Sequence, residues 1–247
     1  MDSSRRFRSH RDRSQPEITP IKNTPQAVGF DVDHTLGIDN KLERVAFLRL
    51  LDVICGEGGR CLGTLAEESV RIDDLLSRQR SGAFTIDEAV AQFVSERGAK
   101  PSGTYTVRYK QMALESVPHF FVPQPDARLV LADLRRRGIP CAILSNGWSP
   151  LQQEKARCLA FEGPVLVSDA LGAQKPDAAA FHALANALGA DPHDVAYVGD
   201  NPESDAAAAI AAGMRGIWLD AEGVKYPPDL PKPTAVIHKL AELLALL

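Results

Sequence analysis

Two aspartates one residue apart, Asp31 and Asp33, close the run "AVGFDVDHTLG". At that spacing their side chains lie on the same side of an extended backbone and repel each other. Further groups able to do chemistry follow other apolar runs. Ser145, Asn146 and Gly147 stand in "ILSNG", Lys175 in "GAQKPD", and Asp200 and Asp205 in "VGDNPESD". Each has an ordinary explanation taken singly. Aspartate and "SNG" are common turn residues, a lysine before proline is usually solvated, and Glu203 and Asp205 suit the start of a helix. Those explanations do not account for all of them standing at the ends of separate apolar runs.

The elements that must position these groups alternate in type. "AVGFDV", "PCAILSN", "PVLVSD", "VAYVGD" and "RGIWLD" are short and rich in Val, Ile and Leu, as parallel strands covered on both faces should be. Helical patterns separate them. "QPDARLVLADLRRRG" has Pro125 near its start and Gly138 at its stop. "SPLQQEKARCLAFEG" is expected to end at Gly163, "KPDAAAFHALANALG" at Gly189 and "ESDAAAAIAAG" at Gly213, and a final helix is expected over "AVIHKLAELLALL". This alternation predicts an α/β fold, a three-layer doubly wound parallel sheet. In such sheets ligands bind beyond the carboxyl ends of the strands, where all the polar groups named above would converge.

One interval breaks the rhythm. Between Gly37 and about Pro123 no strand is expected. Helices are expected over "KLERVAFLRLLDVI", "TLAEESVRIDDLLSRQRSG", "TIDEAVAQFVSERG" and "TYTVRYKQMALES". Two of them open with a capping box, Thr64 with Glu67 and Thr85 with Glu88. The expected organisation is a disordered basic tail over 1–24, a core over 25–37 and 124–247, and a helical cap over 38–123.

The motifs "DVDHT", "LSNG", the lysine of "QKPD" and "GDNPESD", in this order, resemble those of the haloacid dehalogenase superfamily of hydrolases. The resemblance covers nearly the whole chain after the tail, and the helical insertion is similar to that family's type 1 cap, in the manner of its subfamily IA. It implies a Mg²⁺-dependent phosphatase. Asp31 would be the nucleophile that forms an aspartyl-phosphate, and Asp33 the acid that protonates the leaving group and then the base that activates water. Metal ligands would be Asp31, the backbone carbonyl of Asp33, and Asp200. A divalent cation between the two carboxylates would make their repulsion tolerable, and Mg²⁺ takes such hard oxygen ligands. Ser145 and the backbone N–H groups around Asn146 and Gly147 would hold the phosphoryl oxygens, with Lys175 cancelling charge. Thr35 would shape the loop. Asp205 would lie behind the ligands, bond Lys175, or replace a metal-bound water. Asp33 in its acid role calls for a pKa raised by burial and neighbouring carboxylates. His34 is a candidate substrate contact, as are Arg78, Arg80, Arg108 and Lys110 on the cap. Trp148 is expected in the core.

The resemblance leaves rival activities on the same fold. A 2-haloacid dehalogenase needs neither a metal nor a second carboxylate, so Asp33 speaks against it. A phosphonatase would use a cap lysine, for which Lys41, Lys100 and Lys110 are candidates. A non-catalytic metabolite-binding protein would have lost a catalytic group, and none is lost.

The bulk composition narrows the partners. The chain has 247 residues, is 45% hydrophobic and carries a net charge of −4, enough for a sizeable core and no electrostatic case for nucleic acid. Its first residues are arginine-rich without the apolar stretch of a secretory signal, and no apolar run is long enough to span a bilayer. Cys55, Cys61, Cys141 and Cys158 lack metal-site spacing and are read as reduced thiols. "GEGGRC" follows a helical pattern, which excludes a dinucleotide fingerprint. These features point to a cytoplasmic protein with neither nucleic acid nor membrane as partner, and the resemblance implies a monomer or homodimer acting on a small phosphorylated metabolite.

Overall fold

In the computed structural model, residues 24–39 and 41–247 are described. Strand β1 (Ala27–Phe30) leads through a tight turn to β2 (Gly37–Asp39). Four helices follow, α1 (Leu42–Gly56), α2 (Leu65–Arg80), α3 (Ile86–Glu96) and α4 (Gly103–Phe120), and β3 (Phe121–Pro123) ends the insertion. Then come α5 (Ala127–Arg136), β4 (Cys141–Ser145), α6 (Ser149–Cys158), β5 (Val165–Val167), α7 (Ser168–Leu171) and α8 (Ala178–Leu188). Strand β6 (Val195–Gly199), a π-helical turn over Pro202–Ala207, α9 (Ala208–Ala211), β7 (Arg215–Leu219) and β8 (Ala235–Ile237) complete the chain before a final 3₁₀ turn, Leu240–Ala245.

The main sheet has six parallel strands in the order β5-β4-β1-β6-β7-β8. Side chains alternate between two apolar layers, as a doubly covered sheet requires. Val28, Phe30, Ile143 and Val198 face the cluster that holds α5, α6 and the helices of the insertion. Ala27, Leu144 and Tyr197 face α8 and α9. The buried stripe of α1 (Leu42, Ala46, Phe47, Leu50, Ile54) is continuous with the first cluster. The α/β doubly wound architecture expected from the alternation is the one found.

Several elements differ from the expectations. The C-terminal segment is not a helix. Ala235–Ile237 adds a sixth strand beside β7, and only a short 3₁₀ turn follows, burying Leu240 and Leu243. Pro231 and Pro233 lead into it in extended chain, and Thr234 N–H is bonded to Gly216 O, so edge pairing overrides helix propensity. The insertion is bounded by two strands that were not expected. Strands β2 and β3 pair antiparallel, Gly37 opposite Pro123 and Asp39 opposite Phe121. A Cβ at Gly37 would lie 2.2 Å from the Phe121 ring, so glycine lets that ring lie on the ribbon. Helix α6 stops at Cys158 rather than at Gly163, its exit passing through Ala160 at φ 54°. Both capping boxes are present as expected. The basic tail assigned to the N-terminus falls, for residues 1–23, outside the described residues.

Candidate active site

Asp31 leaves β1 with its N–H bonded to Val198 O, which puts its carboxylate at the carboxyl edge of the central strands. Lys175 reaches the same point from the loop before α8. Its Nζ lies 2.8 Å from Asp31 Oδ1 and 2.6 Å from Asp205 Oδ1, and the side chain is buried. Asn146 fixes that loop. Its Nδ2 donates to Lys175 O (2.8 Å) and its Oδ1 accepts from Lys175 N (2.9 Å).

Asp205 is brought inward by the π turn, a geometry common where a helix start must re-aim one residue. Asn201 caps the turn by accepting from Glu203 N and Ser204 N, and its own N–H donates to Asp205 Oδ2 at 2.9 Å. Gly199 makes room, because a Cβ there would lie 2.3 Å from Asp205 Cγ. Thr35 does more than shape its own loop. Its Oγ1 accepts from Asp200 N (3.0 Å) and donates to Asp200 Oδ1 (3.2 Å), joining the first motif to the last.

Asp31, Asp200 and Asp205 each offer an oxygen within 4.8 Å of the others. Three close carboxylates with one lysine are a hard oxygen donor set of the kind a divalent cation takes. The electrostatics agree. Burial pushes Asp31 up to about 8, opposed by Lys175 and assisted by Asp205, Asp200 and Asp33. Burial, then Asp205, pushes Asp200 up to about 6 against His34, Lys175 and Thr35. The protein's own cations leave this cluster short of positive charge, and the residues fit a Mg²⁺ site.

Asp33 stands in a different field. Burial would raise its pKa, but Lys155 Nζ at 2.8 Å from Oδ1, Gln152 Nε2 at 3.0 Å from Oδ2, and the nearby Arg80 outweigh it, and the net shift is downward. The expected upward shift is therefore reversed, because the sequence reading did not include Lys155. Ser145 ends β4 buried at the cavity wall. The Gly147 N–H, expected to hold a phosphoryl oxygen, instead donates to Ser168 Oγ at 3.0 Å. That amide is spent on holding the loop against α7.

These groups line a cavity of about 200 Å³ whose remaining wall includes His34, Asp39, Glu43, Arg80 and Trp148. Trp148 is buried as expected, yet its Nε1 donates to Glu43 Oε1 (3.1 Å), and Glu43 Oε2 accepts from Arg80 (3.2 Å). Of the cationic residues named on the insertion, Arg80 faces the cavity. Arg78 lies by Asp74 and Phe84, Arg108 by Glu57, and Lys110 by Asp87 in a neighbouring cleft. A larger hollow of about 730 Å³ between α5 and the opposite end of the sheet is lined by none of the candidate catalytic, phosphate-binding or metal-binding residues.

Sequence reasoning missed Lys155, Gln152, Asp39 and Glu43. A signal for Lys155 and Gln152 exists. Both fall on the buried face of α6 with Leu151 and Ala156, where a polar residue needs a partner.

The family described as haloacid dehalogenase-like hydrolase matches residues 25–213. A phosphoserine phosphatase of Thermus thermophilus is 40% identical over 113 residues, 43% of this chain and 45% of that one, so the match spans less than half of that relative. A glyceraldehyde 3-phosphate phosphatase of Methanopyrus kandleri is 32% identical over 232 residues, 88% of this chain and 98% of that one. Among solved structures, the HAD-hydrolase YfnB of Bacillus subtilis, bound to magnesium, superposes with a TM-score of 0.66 at 22% identity, over 91% of this chain and 99% of that one. Dehalogenases occur among the matches beside phosphatases. Among the described residues no helix is long and apolar enough to cross a membrane. With a family match over most of its length and a relative aligned almost end to end, the chain belongs to the haloacid dehalogenase-like hydrolases.

Proposed function

We propose that the protein is a Mg²⁺-dependent phosphatase of small phosphate monoesters that works through an aspartyl-phosphate on Asp31. The observation that carries the reading is the pair of carboxylates at one strand end with separate partners. Asp31 is held by Lys175 inside the acidic cluster, and Asp33 is held by Lys155 outside it. A dehalogenase has no use for the second carboxylate. An imine-forming phosphonatase needs an insertion lysine in the cavity, and among the described lining residues the lysine is Lys175, from the core.

Asp31, Asp200 and Asp205, with the Asp33 carbonyl, would hold Mg²⁺, which would neutralise phosphate charge and act as a Lewis acid. Lys175 supplies a second positive charge beside the attacking oxygen of Asp31. That oxygen forms the bond to phosphorus as the ester P–O bond breaks, and Asp33 gives its proton to the departing alkoxide. Water then attacks the phosphoryl group, Asp33 takes its proton, and Asp31 is released. The ionised Asp33 beside Lys155 is the form required for the second half. A bound phosphate dianion works against Lys155 and raises the proton affinity of Asp33 for the first half. Ser145 Oγ is the side-chain donor for the phosphoryl oxygens.

The cavity is smaller than the roughly 300–1,000 Å³ pockets that take drug-sized ligands, which suits an ester of few atoms. The test is a panel of phosphorylated metabolites assayed with Mg²⁺, with chelator, and with Asp31→Asn. Expected are turnover that chelator abolishes and a loss of several orders of magnitude in a folded Asp31→Asn protein. Normal turnover by that variant would refute the mechanism.

A further inference from the structure

Lys155 sits where an apolar side chain would be the cheaper choice. It lies on the buried face of α6 and is 1% exposed. Its Nζ donates to Asp33 Oδ1 at 2.8 Å and to Asp39 Oδ2 at 2.6 Å. On a further side it lies 5.9 Å from the centre of the Phe121 ring. Asp39 and Phe121 are register partners, the last residue of β2 and the first of β3. These are the two strands by which the chain leaves the core for the helical insertion and returns. Asp39 also accepts from Leu42 N with its other oxygen (2.8 Å), which ties it to the first turn of α1. One ammonium therefore bonds the carboxylate beside the nucleophile and the outgoing connection to the insertion, and lies over the aromatic ring that begins the returning one.

From this juxtaposition we infer that Lys155 is a positioning residue of the reaction, orienting the Asp33 carboxylate and tying that orientation to the two strands that carry the insertion. The inference rests on the phosphatase reading, in which Asp33 moves the proton. Gln152, one helical turn back, holds the second oxygen (3.0 Å). Between them the two side chains of α6 determine the plane of the carboxylate, while each oxygen keeps a lone pair for the substrate side. Desolvating an ammonium is costly and is rarely the most stable filling for a core position. A lysine used only for stability would serve as well against any carboxylate. This one grips the single acid whose orientation matters for proton transfer.

The test is a double-mutant cycle read in single-turnover rates with Mg²⁺, on an alkyl phosphate and on an aryl phosphate. The proteins are wild type, Lys155→Met, Asp33→Asn and the double variant, with Lys155→Arg for rescue and thermal unfolding as a check of fold. Misplacing the acid forfeits part of the roughly 10²–10⁴ that general acid–base assistance supplies. Lys155→Met should therefore slow the alkyl ester by about 10- to 100-fold, slow the aryl ester much less, and leave KM nearly unchanged. Lys155→Arg should recover part of the loss. In the Asp33→Asn background, Lys155→Met should cost nothing further. Equal losses on both esters, or losses that multiply with Asp33→Asn, would overturn the inference while leaving the phosphatase reading intact. Absence of turnover by wild type on either ester would overturn the reading and the inference with it. If Lys155→Met does not fold, Lys155→Gln takes its place in the same cycle.

Discussion

Asp31 and Asp33 share a spacing and not an environment. Burial dominates at Asp31 and raises it to about 8, whereas Lys155 and Gln152 overcome burial at Asp33 and bring it down. In the proposed reaction a divalent cation on the acidic cluster would favour the ionised form of Asp31 that a nucleophile requires. For Asp33 the role can be tested through the leaving group. Asp33→Asn should slow alkyl phosphates more than aryl phosphates, because a phenolate leaves with little protonation. Comparing the rate of the chemical step on both esters checks this, and equal losses would count against a proton-transfer role. At this scale the sequence was readable where polar residues interrupt apolar runs, as at Asp31, Ser145 and Asp200. For Lys155 the sequence held only its place on the α6 face of Leu151 and Ala156, and the partners that explain it, Asp33 and Asp39, came with folding. Glu43 was not readable, because it sits in a helix beside other charged residues and only Trp148 and Tyr109 show that it faces inward.

At the scale of elements, legibility followed length and local chemistry. Helices α2 and α3 announce themselves through capping boxes, which are set by residues three apart. Strands β2, β3 and β8 are three residues each and exist because a partner strand is there to pair with, so no window of sequence contains their cause. The π turn after β6 sets Asp205 against Gly199. That contact supplies a prediction. Gly199→Ala would put a methyl group into the Asp205 carboxylate, at a point where Lys175 and Asn201 leave the carboxylate no alternative. Overpacking of this kind costs about 1–3 kcal/mol. The variant should fold with a lowered midpoint in thermal unfolding and lose most of its turnover. Full activity at unchanged stability would mean that Asp205 yields freely.

At the scale of the molecule, the helical insertion and the sheet enclose the reacting groups between them. The apolar faces of α1 to α4 are continuous with one layer of the core. The cavity that remains at the strand ends holds about 200 Å³. A cover of this kind excludes water and selects by size. The insertion contributes Arg80 to the wall, a half-exposed guanidinium bonded to Glu43 through one nitrogen. Small soluble phosphate esters should therefore be turned over far better than a folded phosphoprotein, whose side chain cannot enter without its backbone. Arg80→Ala should raise KM about tenfold or more for esters with a polar leaving group, the loss of one charge-assisted hydrogen bond, with a smaller effect on kcat. The measurement is kcat/KM across a metabolite panel and a phosphoprotein, with intact protein and with the Arg80 variant. Efficient phosphoprotein turnover alongside poor activity on every small ester would mean that the helices open widely enough to admit a protein surface. In that case the enclosure between insertion and sheet is not what selects the substrate.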